Sequence, residues 1–115
     1  MNTTSPITTH ILDTAQGCPA AGVGVSLARQ LGSQFTELAR GVTNEDGRIV
    51  DLLPPDSLST GVYRMTFATG EYFSAQGDTG FYPHVTIDFE IHDAGQHYHV
   101  PLLLSPYGYS TYRGS

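Results

Sequence analysis

The 115-residue chain has no lysine, so its cationic side chains are Arg29, Arg40, Arg48, Arg64 and Arg113, joined by five histidines. His10, Arg48, His97 and His99 stand in patterns that could do chemistry. An imidazole titrates near neutrality, so it can take a proton from water and return it to a leaving group. The Arg48 guanidinium stays charged and planar, suited to orienting a flat polar molecule or steadying a developing oxyanion. His97 and His99 are two apart, so on a strand they point the same way and could together hold zinc. No cysteine cluster or His-Glu partner at ligand spacing accompanies them, and His84 and His92 add only to the count; no metal or other cofactor is expected. The last residues, Tyr112-Arg113-Gly114-Ser115, bring a hydroxyl, a cation and a terminal carboxylate to the end of a strand pattern. A chain ending there is expected to use its own end.

Taken singly, each of these residues has a plainer reading. A histidine within a strand is more often structural than catalytic. An arginine after a turn is usually solvated. Cys18 beside Pro19 reads as a loop or packing residue with nothing near it to activate a thiolate. No Gly-x-Ser-x-Gly elbow supports a serine nucleophile. Tyr107, Tyr109 and Tyr112 suit interface packing as well as chemistry.

The elements that must carry these side chains are short strands between glycine and proline turns. Thirteen glycines and seven prolines fit that pattern better than helices. Residues 8–14 read as a first strand, with His10 and Leu12 on one side and Thr9, Ile11 and Asp13 on the other. Residues 16–19 read as a turn. Strands follow at 22–29 and 35–42. Then comes a loop at 43–47 whose Asp46-Gly47 step favours positive φ. Arg48 opens a strand at 48–52, which Leu53-Pro54-Pro55-Asp56 ends. Residues 62–68 alternate again, and 70–77 form the one plausible helix, about two turns between glycines. Val85, Ile87, Phe89 and Ile91 mark the clearest strand. In the closing pair, Tyr98, Val100, Leu102 and Leu104 share one face, and Ser105-Pro106-Tyr107-Gly108 turns the chain into the last strand. Eight strands and one short helix predict an antiparallel two-sheet sandwich.

A single domain over residues 8–115 is expected, behind a flexible segment at 1–7. The net charge of −6 argues against nucleic acid as a partner. No apolar run is long enough to cross a bilayer. One cysteine and a polar start without a signal-peptide pattern make the cytoplasm the expected compartment.

Four segments, residues 9–14, 43–48, 81–85 and 97–115, together resemble the 5-hydroxyisourate hydrolase family, the transthyretin-related enzymes. They carry Thr9-His10-Ile11-Leu12-Asp13, Asp46-Gly47-Arg48, Phe81-Tyr82-Pro83-His84 and His97-Tyr98-His99, with the ending Tyr112-Arg113-Gly114-Ser115. The resemblance covers nearly the whole chain. It implies a transthyretin-like β-sandwich of two four-stranded sheets with one short helix, and a homotetramer built as a dimer of dimers. It also implies hydrolysis of 5-hydroxyisourate to 2-oxo-4-hydroxy-4-carboxy-5-ureidoimidazoline in urate breakdown. His10, Arg48, His99 and Ser115 would be catalytic, and Arg48, Tyr112, Arg113, Gly114 and Ser115 would bind substrate. His97 would support the site from behind or stay exposed. Two other readings stand beside this one: a small-molecule carrier of the same fold, since fold alone does not fix function, and an immunoglobulin-like interaction module.

Overall fold

The computed structural model describes residues 4–114. Two sheets face each other across one core. The first is built on β1 (Ile7–Asp13), which lies beside β8 (Tyr98–Ser105), with β9 (Gly108–Thr111) beyond it. The free edge of β1 is shared by two two-residue strands, β2 (Cys18–Pro19) against Leu12 and Asp13, and β5 (Arg48–Ile49) against Thr9 and His10. The second sheet runs β4 (Gln34–Val42), β3 (Gly24–Leu31), β6 (Gly61–Phe67), β7 (Val85–Ile91). A short helix, α1 (Thr69–Ala75), joins β6 to β7.

The expected sandwich and its single helix are present, with local differences. The fourth place in the first sheet is split between β2 and β5, so the expected turn at 16–19 also pairs. The expected strand at 48–52 stops at Ile49. There Leu52 turns into the core, and the Leu53 N–H leaves the sheet to donate to Ser5 Oγ at 3.1 Å. The prolines that follow offer no N–H to extend a ladder. The β1–β8 pair runs parallel, Ile7 opposite Tyr98 through Asp13 opposite Leu104, whereas every other strand pair is antiparallel. Packing reaches back to Ser5 and Pro6, both buried, so the packed part of the chain begins ahead of the expected boundary at residue 8.

Alternation decides which side chains enter the core. Ile7 and Ile11 of β1, Leu27 of β3, Tyr63, Met65 and Phe67 of β6, and Leu102 and Leu104 of β8 are buried in one cluster, and Thr9 is buried between Ile7 and Ile11 on β1. Each large apolar side chain so placed contributes about 1.5–3 kcal/mol relative to exposure. Thr9 is tolerated inside because its hydroxyl donates to the Val100 carbonyl at 2.6 Å, across the β1–β8 pair.

Asp13, at the end of β1, is a buried carboxylate. Tyr72 OH donates to its Oδ2 at 2.8 Å, and Gln16 donates from its backbone N–H to Oδ1 and from Nε2 to Oδ2, both at 3.0 Å. Burial first, and then this bond, push the Tyr72 phenol up to about 12. The phenol therefore remains a donor through the physiological range and ties α1 to the spine of the first sheet.

Replacing Tyr72 with Phe removes one donor from a buried charge. The expected cost is about 1.5–3 kcal/mol, read as a lower urea midpoint with unchanged m-value.

Candidate active site

The outward face of β1 begins the site. Thr8 and His10 share it because they are two apart. Arg48 reaches the same place through a turn at residues 44–47. Asn44 Oδ1 accepts from the N–H of Asp46 at 2.9 Å and of Arg48 at 3.0 Å, while the Asn44 carbonyl accepts from Gly47 N–H at 2.9 Å. Gly47 has φ 72°, and a Cβ there would lie 2.5 Å from the Ile11 carbonyl oxygen, so both conformation and space demand glycine. Its own carbonyl accepts from Ile11 N–H at 2.8 Å. The turn is thereby clamped to β1, and β5 leaves it with Arg48 in register opposite His10. The neighbouring Asp46 favours the charged form of the His10 ring, against burial and the Arg48 charge.

His99 arrives from the other side of β1. The parallel register sets it opposite Thr8, whose Oγ1 lies 2.8 Å from His99 Nδ1 and 3.1 Å from His97 Nε2. Past the end of β9 the chain meets β8 once more: Gly114 N–H donates to the His99 carbonyl at 2.9 Å. A Cβ on Gly114 would sit 2.6 Å from His99 Cδ2. The bare backbone of Gly114 therefore forms a wall against the imidazole.

His10, Arg48, His97, His99, Tyr112 and Gly114 line one cleft of about 450 Å³, with Thr8 and Val50 completing it. Among the described residues no carboxylate side chain lines it. His10 is lowered from its ordinary value by burial and then by the Arg48 charge. His99 is lowered by burial, then by Arg48, His10 and His97. At pH 7 both rings are therefore neutral and able to accept a proton beside a fixed cation. The two can titrate as a unit.

Of the residues expected in the site, His10, Arg48, His99, Tyr112 and Gly114 meet here. Ser115 lies outside the described residues. Arg113 turns elsewhere: its guanidinium lies 4.4 Å over the Tyr98 ring and donates to Gln96 Oε1 at 2.9 Å. It lines a second cavity of about 560 Å³ between β7 and β8, which shares His99 and Tyr112 with the cleft and contains Asp88, Glu90 and Asp93 but neither His10 nor Arg48. Two positioning residues, Thr8 and Asn44, escaped the sequence reading. Strand parity with His10 was the available signal for Thr8, and a side-chain acceptor ahead of Asp46-Gly47 was the signal for Asn44. Among the described residues, no group of three or more His, Cys, Asp or Glu side chains is placed to hold a metal ion.

Residues 7–114 match the model of the HIUase/Transthyretin family. The chain is 52% identical to 5-hydroxyisourate hydrolase of Caulobacter vibrioides, over 96% of this chain and 99% of that one. Klebsiella pneumoniae 5-hydroxyisourate hydrolase superposes with TM-score 0.82 at 43% identity, covering 98% of this chain and 94% of the other. Sea bream transthyretin in complex with thyroxine superposes with TM-score 0.91 at 35% identity, covering 96% and 95%.

Three outcomes are expected from nuclear magnetic resonance of the histidine rings. In the intact protein His10 and His99 titrate with midpoints below 6.5. In Arg48→Ala both midpoints rise, because removing the cation relieves repulsion of the charged rings. In Gly114→Ala the His99 ring resonances shift while the far-ultraviolet circular dichroism is unchanged.

Proposed function

The chain belongs to the HIUase/Transthyretin family, and we propose that its cleft hydrolyses 5-hydroxyisourate by water attack on a cyclic amide bond, assisted by His10 and His99. The observation that carries the chemistry is the meeting of two neutral imidazoles and one guanidinium, drawn from three strands, in a cleft that no carboxylate side chain lines among the described residues. The near-full-length similarity to 5-hydroxyisourate hydrolases supports the substrate.

In this mechanism an imidazole takes a proton as water adds to the ring carbonyl. Negative charge grows on the carbonyl oxygen, where Arg48 stabilises it. The tetrahedral species collapses, the carbon–nitrogen bond breaks, and the imidazolium returns its proton to the departing ring nitrogen. The new carboxylic acid ionises, so one proton enters solution per turnover. Tyr112, Gly114 and Ser115 complete the seat for the flat ring, and Ser115 orients a histidine or the substrate. Arg113 serves the site from behind, by fastening the terminal segment to Tyr98.

The working form we propose is a homotetramer, a dimer of dimers, acting in urate breakdown in the cytoplasm. The exposed faces of Tyr107, Tyr109 and Tyr112, and the edge positions of β7 and β9, are in keeping with assembly through these parts. No helix among the described residues is long and apolar enough to cross a membrane. The likeness to transthyretin in complex with thyroxine favours a carrier as the second reading. Against it, an apolar ligand gains nothing from desolvating His10, Arg48 and His99.

The test generates 5-hydroxyisourate in place from urate with a urate oxidase and follows its ultraviolet decay. The protein should accelerate the decay, and His10→Ala, His99→Ala and Arg48→Ala should each lose about 10²–10⁴-fold in kcat. Unaltered decay with the intact protein would leave the carrier reading. In the intact enzyme kcat/KM should hold as pH falls to 6.5 and decline below it, as the lowered histidines become protonated.

A further inference from the structure

Thr8 is buried beneath the cleft and has no part in the mechanism as described, yet its hydroxyl touches two histidines. Oγ1 lies 2.8 Å from His99 Nδ1 and 3.1 Å from His97 Nε2. A hydroxyl carries one proton, so it donates to one ring and accepts from the other. Whenever both imidazoles are neutral, their tautomers are therefore linked. In one arrangement His97 Nε2–H donates to Thr8, Thr8 donates to His99 Nδ1, and His99 keeps its proton on Nε2. In the other, His99 Nδ1–H donates to Thr8, Thr8 donates to His97 Nε2, and His99 Nε2 is free to accept. Only the second presents His99 Nε2 as a base.

We propose that Thr8 is a positioning residue for His99 and the middle of a proton relay, His99–Thr8–His97, that joins the cleft to solvent. The proposal rests on the hydrolase reading for its role in turnover, but not for the linkage of tautomers.

The protons balance along the relay. When His99 Nε2 takes a proton from the attacking water, its Nδ1 proton moves to Oγ1 and the hydroxyl proton moves to His97 Nε2. His97, exposed at the start of β8, then releases its Nδ1 proton to water. When His99 Nε2 gives a proton to the departing ring nitrogen, the same shifts run backwards and one proton enters at His97. These two movements cancel, and the ionising product acid supplies the single proton released per turnover.

The arrangement answers an electrostatic difficulty. Among the described residues, the charged or titratable groups that act on His99 are Arg48 from β5, His10 from β1 and His97 just ahead of β8, and each, when positive, opposes a positive charge on the ring. A ring that gains a proton on one nitrogen while losing one from the other never holds that charge for long. His97 is farther into solvent, where an imidazolium is better hydrated.

The experiment compares Thr8→Val, which keeps the branched shape without the hydroxyl, with Thr8→Ser, which keeps the hydroxyl. Three readouts are taken: ring ¹⁵N shifts of His99 and His97, kcat and KM for 5-hydroxyisourate, and the response of kcat to added imidazole buffer. In Thr8→Val the tautomer populations of both rings should change together. Its kcat should fall about 10- to 100-fold, the usual cost of losing a histidine's orienting partner, with KM within about twofold. Added imidazole should restore part of the rate, and Thr8→Ser should recover most of it.

Unchanged ring ¹⁵N shifts in a folded Thr8→Val would overturn the linkage. A rate loss that neither serine nor buffer relieves would overturn the relay and leave Thr8 a packing residue. If the intact protein does not open the substrate, the hydrolase reading fails by itself, and the ring shifts still decide whether Thr8 couples the two histidines.

Discussion

The site depends on the parallel pairing of β1 with β8. This pairing sets Thr8 opposite His99, and it does so through strands nearly a whole chain apart in sequence. Slipping it by one residue would exchange the faces of every side chain on one strand, sending polar groups into the core and Ile11 or Leu102 out. The core therefore enforces the geometry of the cleft. Thr9 pins the same register from within by bonding the Val100 carbonyl.

The cleft's electrostatics follow from what surrounds it. Arg48 is held by backbone geometry, through the Asn44 cap and the Gly47 turn, and among the described residues no carboxylate forms a salt bridge with it. Three acidic groups are engaged elsewhere: Asp13 inside, Asp88 on Arg64 and Glu37 on Arg40. A strongly acidic protein thus retains a locally cationic cleft in which neutral imidazoles persist.

Much of this was legible in the residues. Alternation in β1, β6, β7 and β8 identified the buried faces, and Asp46-Gly47 announced a positive-φ turn. The short helix was bracketed by its glycines. The direction of β1 against β8 was not legible, because alternation is the same for parallel and antiparallel neighbours. Nor was the division of β1's edge between β2 and β5, which depends on where the chain must leave to bury Leu52. Family resemblance grouped Arg113 with Tyr112 and Gly114, but the Tyr98 ring and the Gln96 side chain hold its guanidinium away from the cleft. Thr8 was passed over because a strand threonine usually signals β propensity, and its meaning appears only once two distant histidines are brought to it.

The two sides of β1 carry separate duties. Inward residues hold the sandwich together, while Thr8 and His10 on the reverse side line the cleft to which we assign the chemistry. Substitutions confined to that reverse side can retool the chemistry without touching the framework beneath. A lineage built on such a strand can exchange catalysis for simple ligand storage, or the opposite, by a handful of changes along one row of side chains, while its folding remains as robust as before.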